Sequence, residues 1–223
     1  MEMTNRKGAA VMGISTSHVR EETHNIPLRI AKGHFATNKC HVNYYVDMTY
    51  TKHRLAEAHE AAKELVRKLD KASPIDSILC LEGTEVLGTC IAEELIQAGI
   101  RITNEHGTIY VVTPELTSSN QIIFRSNTAH LIRNRHVLIL AASVATGAMV
   151  LDAVNAVKYY GGMPEGICAI FSAGQKCAGL PITTIFSSEL LGDFMCAPAT
   201  DCPLCKAGVK LDALVNSYGI SSL

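Results

Sequence analysis

Apolar residues recur every three or four positions at Leu55, Ala58, Ala62, Leu65, Val66 and Leu69, which predicts an amphipathic helix over 55–70 that Ser73-Pro74 ends. The following run, Asp76-Ser-Ile-Leu-Cys-Leu81, is apolar without helical spacing and predicts a buried strand. Glu82-Gly-Thr-Glu85 then turns into a second helix over 86–98, closed by Gly99. Further strands are expected at 108–113, stopped by Pro114, and at 137–141, 167–171 and 182–186, with a helix over 148–160 that ends at Gly161-Gly162. Strands alternating with helices of this length predict an α/β fold with a mostly parallel sheet. Ligands of such sheets sit beyond the carboxyl ends of the strands, so a site is expected among the loops 82–88, 114–127 and 142–147.

Composition narrows the classes. Of 223 residues, 48% are hydrophobic and 18% charged, enough apolar surface to offset ordering entropy and exclude a disordered chain. Lys plus Arg is 20 and Asp plus Glu 21, a net charge of −1, which argues against a nucleic-acid or membrane-surface binder. The low charge predicts apolar surface covered by a partner, most simply a second copy in a homodimer. The segment 137–157 is broken by Ser143, Thr146, Gly147, Asp152 and Asn155, so it reads as strand, turn and helix rather than a membrane span. Residues 1–10 carry charges and no long apolar stretch, which predicts no signal peptide and, with eight cysteines, mostly reduced thiols and a cytoplasmic location.

The candidate chemistry centres on one corner. In Arg135-His-Val-Leu-Ile-Leu-Ala-Ala-Ser-Val-Ala-Thr-Gly-Ala-Met149 a strand gives way to small residues just where a helix begins. Small side chains leave main-chain N–H groups uncovered there, and the helix dipole favours an anion. Ser143, Val144, Ala145, Thr146, Gly147 and Ala148 are therefore expected to bind a phosphate, the hydroxyls of Ser143 and Thr146 adding two donors. A corner rich in Ala and Gly also serves plain packing.

Three segments, taken in order, resemble the type I phosphoribosyltransferases, with the orotate enzymes nearest. Thr146-Gly147 matches the family's Thr-Gly phosphate loop. Gly33-His-Phe-Ala-Thr-Asn-Lys-Cys-His-Val-Asn-Tyr-Tyr-Val-Asp47 is similar to the N-terminal segment of orotate phosphoribosyltransferases, with Phe35, Lys39, Tyr44-Tyr45 and Asp47 on the matching positions. Cys202-Pro-Leu-Cys-Lys-Ala-Gly-Val209 looks like the C-terminal Cys-Pro-x-Cys-x-x-Gly of some members. The resemblance implies a parallel sheet flanked by helices with a small N-terminal hood. The chain divides accordingly into residues 1–54 with the hood, an α/β core at 55–195 and a Cys-containing appendage at 196–223. It places a base near Phe35, Lys39 and Tyr44, and pyrophosphate near Glu82, Gly83, Thr84 and Glu85.

The departures from the family bear on activity. Ala141 and Ala142 stand where the family has two acidic residues for the ribose hydroxyls, and a methyl group binds neither a diol nor Mg²⁺. The stretch 113–121 holds no Lys, Arg or His to neutralise a departing pyrophosphate, and Glu82 and Glu85 add negative charge there. The resemblance thus implies a phosphoribosyltransferase-family protein of pyrimidine nucleotide metabolism that takes phosphoribosyl pyrophosphate or a nucleoside monophosphate, its catalytic residues degraded and no catalytic group assigned. One alternative is an active transferase with a rebuilt site, using Mg²⁺ and releasing pyrophosphate. The other is a non-catalytic regulatory nucleotide-binding protein.

Outside that corner, Cys196, Cys202 and Cys205 are candidate zinc ligands, with Cys177 or a histidine as the fourth; free thiols or a disulfide are the alternative. His34 and His41 flank Lys39, near enough to offer a phosphate a hydrogen bond or else to be structural. Arg125, Arg133 and Arg135 form either a solvated basic edge or an anion contact across a dimer.

Overall fold

A computed structural model describes residues 24–70 and 72–223 in full, and the backbone of two short strands, β1 (Arg6–Lys7) and β2 (Thr16–Val19). Residues 1–10, read as lacking a signal peptide, lie outside the described residues apart from β1.

The core begins where the apolar periodicity places it. α2 (Leu55–Lys68) follows the short α1 (Thr49–His53) and turns Ala58, Ala61, Ala62, Leu65 and Val66 inward. β5 (Ser77–Cys80) and α3 (Glu85–Gln97) come next, then β6 (Tyr110–Val112) and a small hairpin of β7 (Glu115–Leu116) and β8 (Ile122–Ile123). β9 (His136–Val144), α4 (Ala148–Tyr159), β10 (Met163–Ser172), β11 (Lys176–Cys177) and β12 (Leu180–Ser187) complete the core.

The sheet runs β11-β12-β10-β9-β5-β6, parallel throughout except for the β11 edge. α2 and α3 cover one face, packing on Ile78, Cys80, Leu138 and Leu140. α4 covers the other with Val150, Ala153, Val154 and Val157 against Leu79, Ile139 and Ala141. Among the parallel strands, chain order reverses between β5 and β9. That reversal opens a crevice at their carboxyl ends, the place where such sheets take ligands.

α3 approaches β5 closely at Gly88, where an added Cβ would collide with the buried Cys80 Sγ and touch Leu140. Gly88→Ala is expected to lower stability by about 1–3 kcal/mol, since the core has no slack to absorb a methyl group. Denaturant midpoints of the two proteins check this.

The hood is a second sheet around β3 (Leu28–Ala36), with β4 (His41–Asp47) on one side. On the other side β2 pairs with the start of β3, and β14 (Ala213–Asn216) pairs with its end. β13 (Cys196–Ala197) extends β4, and β15 (Gly219–Ser222) extends β14. Residues 196–223, expected as an appendage, thus supply strands to the hood, because the free edges of β3 and β4 offer them main-chain partners. Arg29 of β3 donates both its terminal nitrogens to Glu57 of α2 at 2.8 Å each, fixing the hood to the core.

Candidate functional site

A cleft of about 590 Å³ lies between hood and core, over the carboxyl ends of β5 and β9. All six residues of the expected phosphate corner, Ser143 to Ala148, line it. β9 carries the chain to Val144, and Gly147, at φ +77°, turns it into α4. That conformation favours glycine, and a Cβ there would sit 3.0 Å from Cys177 Sγ. The first bond of α4 runs from the Leu151 amide to the Gly147 carbonyl, and the Ala148 amide points to the Thr146 hydroxyl at 3.4 Å. The amides of Ala145, Thr146 and Gly147 have no acceptor among the described residues. Ala145 and Thr146 are exposed.

Glu82 forms the opposite lip. It has a left-handed backbone at φ +58°, followed by Gly83 at +74°, and the two aim the loop back across the sheet end. The Glu82 carboxylate faces the Ser143 amide at 3.5 Å. Burial pushes its pKa up, against the lowering pull of the Ser143 and Ala142 amides and of Lys52. Thr84, placed with the pyrophosphate loop from the sequence, instead donates its hydroxyl to the Leu81 carbonyl at 2.8 Å and is fully buried, so it pins the loop from beneath. Glu85 accepts from the Thr113 hydroxyl at 3.2 Å.

Lys52 of α1 is a cation that the sequence did not single out. Its Nζ donates to the Glu82 carbonyl at 3.0 Å and to the Ser217 carbonyl at 2.5 Å. Burial lowers its pKa, with Glu82, Glu85 and Asp47 acting in the opposite sense. A lone lysine in a short polar stretch reads as solvated, and only the return of residue 217 over it makes it interior.

The residues expected near a base separate. Lys39, exposed on the turn 37–40, and Tyr44 both line the cleft. Tyr44 donates its hydroxyl to Asp193 at 2.5 Å, and burial first, then Asp193, raise its pKa. Phe35 is wholly buried in the hood core with Ala31, Val42 and Val215, and is not among the residues that line the cleft, so its role is packing. Ala141 and Ala142 are 1% and 0% exposed, and their methyl groups offer no ligand to a diol or a metal.

The remaining candidates also sort by geometry. Arg125 pairs with Glu115 and Arg135 with Glu105, so neither is free for an anion. His34 and His41 face the thiols of Cys202 and Cys205 rather than a phosphate. Cys196 does not join them: its Sγ lies 2.7 Å from Cys40 Sγ, because β13 pairs with β4.

The chain is similar to phosphoribosyltransferases of known structure. An orotate phosphoribosyltransferase of Mycobacterium tuberculosis H37Rv is 18% identical over 68% of this chain and 85% of that one, with a TM-score of 0.47. A phosphoribosyltransferase from Corynebacterium diphtheriae is 21% identical over 67% and 86%, at 0.47. An adenine phosphoribosyltransferase from Thermoanaerobacter pseudethanolicus is 15% identical over 65% and 88%, at 0.49. No protein-family model matches the chain, and no curated protein matches it. Among the described residues no helix is long and apolar enough to cross a membrane.

Proposed function

We propose that the chain binds a phosphorylated ribose, as a nucleoside monophosphate or phosphoribosyl compound, with the phosphate on the corner 143–148 and the base toward Tyr44 and Lys39. The observation that carries this is the set of three unpartnered amides, Ala145, Thr146 and Gly147, at the start of α4 on the floor of the cleft. A hydrogen bond to a charged group contributes about 1.5–3 kcal/mol, and the helix start adds about 0.3–1 kcal/mol for an anion. After association costs, a dissociation constant on the order of 10 µM to 1 mM is expected.

The same geometry disfavours turnover. A departing pyrophosphate needs cations or Mg²⁺ at its oxygens. Here Lys52 already donates to two carbonyls, Glu82 and Glu85 bring carboxylates, and the alanines at 141 and 142 hold neither a diol nor a metal. The reading is therefore a ligand-binding protein rather than a transferase, its place in pyrimidine nucleotide metabolism resting on the resemblance of residues 33–47 to the orotate enzymes.

Incubation with phosphoribosyl pyrophosphate, orotate and Mg²⁺, beside a thermal-shift series of nucleoside monophosphates, tests it. Expected are an upward shift with at least one monophosphate and no nucleotide formed above background. Nucleotide formation at an ordinary enzymatic rate would establish a transferase with a rebuilt site. No shift with any phosphate compound would remove the binding role.

A further inference from the structure

The hood holds a second cluster, apart from the cleft. His34 lies near the end of β3, His41 opens β4, and Cys202 and Cys205 flank the start of α5 (Pro203–Lys206). Their ligand atoms all lie within 4.8 Å of one another, the only such group of three or more among the described residues. We propose that these four side chains bind one zinc ion.

Distance and chemistry agree. A tetrahedral ion with Zn–S near 2.3 Å and Zn–N near 2.0–2.1 Å sets sulfur and nitrogen about 3.6 Å apart and two nitrogens about 3.3 Å apart. Here His34 Nε2 lies 3.1 Å from His41 Nδ1, 3.4 Å from Cys202 Sγ and 3.7 Å from Cys205 Sγ, and Cys205 Sγ lies 3.3 Å from His41 Nδ1. One cage this small holds a single ion, not a cluster whose irons divide the ligands. Two nitrogens and two sulfurs in tetrahedral array suit zinc rather than Mg²⁺ or Ca²⁺, which take oxygen. Two thiolates neutralise the dication, so the site leaves no net charge in the hood.

The surroundings prepare the ligands. His34 Nδ1 is 2.9 Å from the Val209 carbonyl, which only accepts, so the proton sits on Nδ1 and Nε2 presents a lone pair to the cage. The His34 amide donates to Asp212 at 2.8 Å, where the β3 irregularity at Gly33 admits that carboxylate and a Cβ would not fit. Gly208, at φ +73°, closes the Cys202–Cys205 turn.

The site has a consequence for the cleft. His34 and His41 stand on either side of the turn 37–40, and that turn lines the cleft with Lys39. The ion ties it to the C-terminal segment and so holds one wall of the cleft in place.

Zinc retention tests this with no nucleotide present. The full chain, loaded with zinc chloride and passed through gel filtration, is expected to keep one zinc per chain by mass spectrometry. Cys196→Ser keeps it, and Cys202→Ser and Cys205→Ser lose most of it. Because Cys205 is exposed, its variant is expected to fold whatever the outcome. Cobalt(II) in place of zinc is expected to show tetrahedral d–d bands and thiolate charge transfer, both absent from the Cys202→Ser/Cys205→Ser double variant. A wild-type chain that retains no more zinc than this double variant would overturn the proposal, as would Cys196→Ser losing zinc as fully as Cys205→Ser.

Discussion

Asp76→Ala is expected to cost on the order of 4 kcal/mol, a large share of the roughly 5–15 kcal/mol that holds a native domain. Asp76 is fully buried at the amino end of β5, opposite the cleft. Its carboxylate accepts from the Thr103 amide at 2.6 Å, the Thr103 hydroxyl at 2.7 Å, the Asn104 amide at 3.0 Å and the His136 amide at 3.1 Å. With the Asn104 side-chain amide, which also donates at 3.3 Å, removing it takes an acceptor from five donors, each costing about 1–3 kcal/mol where water cannot reach, with incomplete additivity. It also leaves the loop before β6 and the start of β9 joined to β5 by main-chain bonds alone.

The same group sets an acid limit. Burial by itself would raise the Asp76 pKa, but the hydrogen bonds from Thr103, His136 and Asn104 together outweigh it and hold the carboxyl below its ordinary value. A lowered carboxylate pKa gives stability that is complete above the unfolded value of about 4 and lost as pH falls through the folded value. Wild-type stability is therefore expected to fall over that acid range, while Asp76→Ala shows a shallower fall from a lower plateau. Urea midpoints across pH check both. A variant within about 0.5 kcal/mol of wild type would refute the tie.

The second large effect lies at the phosphate corner. Gly147→Val places a β-branched residue at φ +77°, which costs about 1–2 kcal/mol or more, and sets its Cβ 3.0 Å from Cys177 Sγ. The turn relaxes away from that conformation, and the three amides lose their present placement. Affinity for a nucleoside monophosphate is expected to drop at least about 100-fold, equivalent to losing one or two charge-assisted hydrogen bonds, with a modest loss of stability. Calorimetric titration of both proteins measures it. Unchanged affinity would move the phosphate elsewhere.

The core was legible because its strands are continuous apolar runs and its helices carry a clean period. The helices expected over 55–70, 86–98 and 148–160 match α2, α3 and α4 to within two residues. β9 was read short, at 137–141. Ala142 and Ser143 look like turn residues, yet β9 continues to Val144, with Ser143 and Val144 paired to Phe171 and Ser172. The hood was legible only in part. Nothing local told that 213–216 would lie beside β3. For the same reason the His34–His41 pair and the Cys202–Cys205 turn were each visible, while their meeting across more than 160 positions was not. Lys52 shows the converse, a residue made interior by a segment 165 positions away.

On the proposed function, main-chain donors at the start of α4 hold a phosphate. The most direct measurement is a ¹H–¹⁵N titration of the labelled chain with ribose 5-phosphate. The amide signals of Ala145, Thr146 and Gly147 are expected to move most and saturate together, with a downfield shift in the proton dimension. Saturable shifts centred on other residues, with these three unmoved, would contradict it.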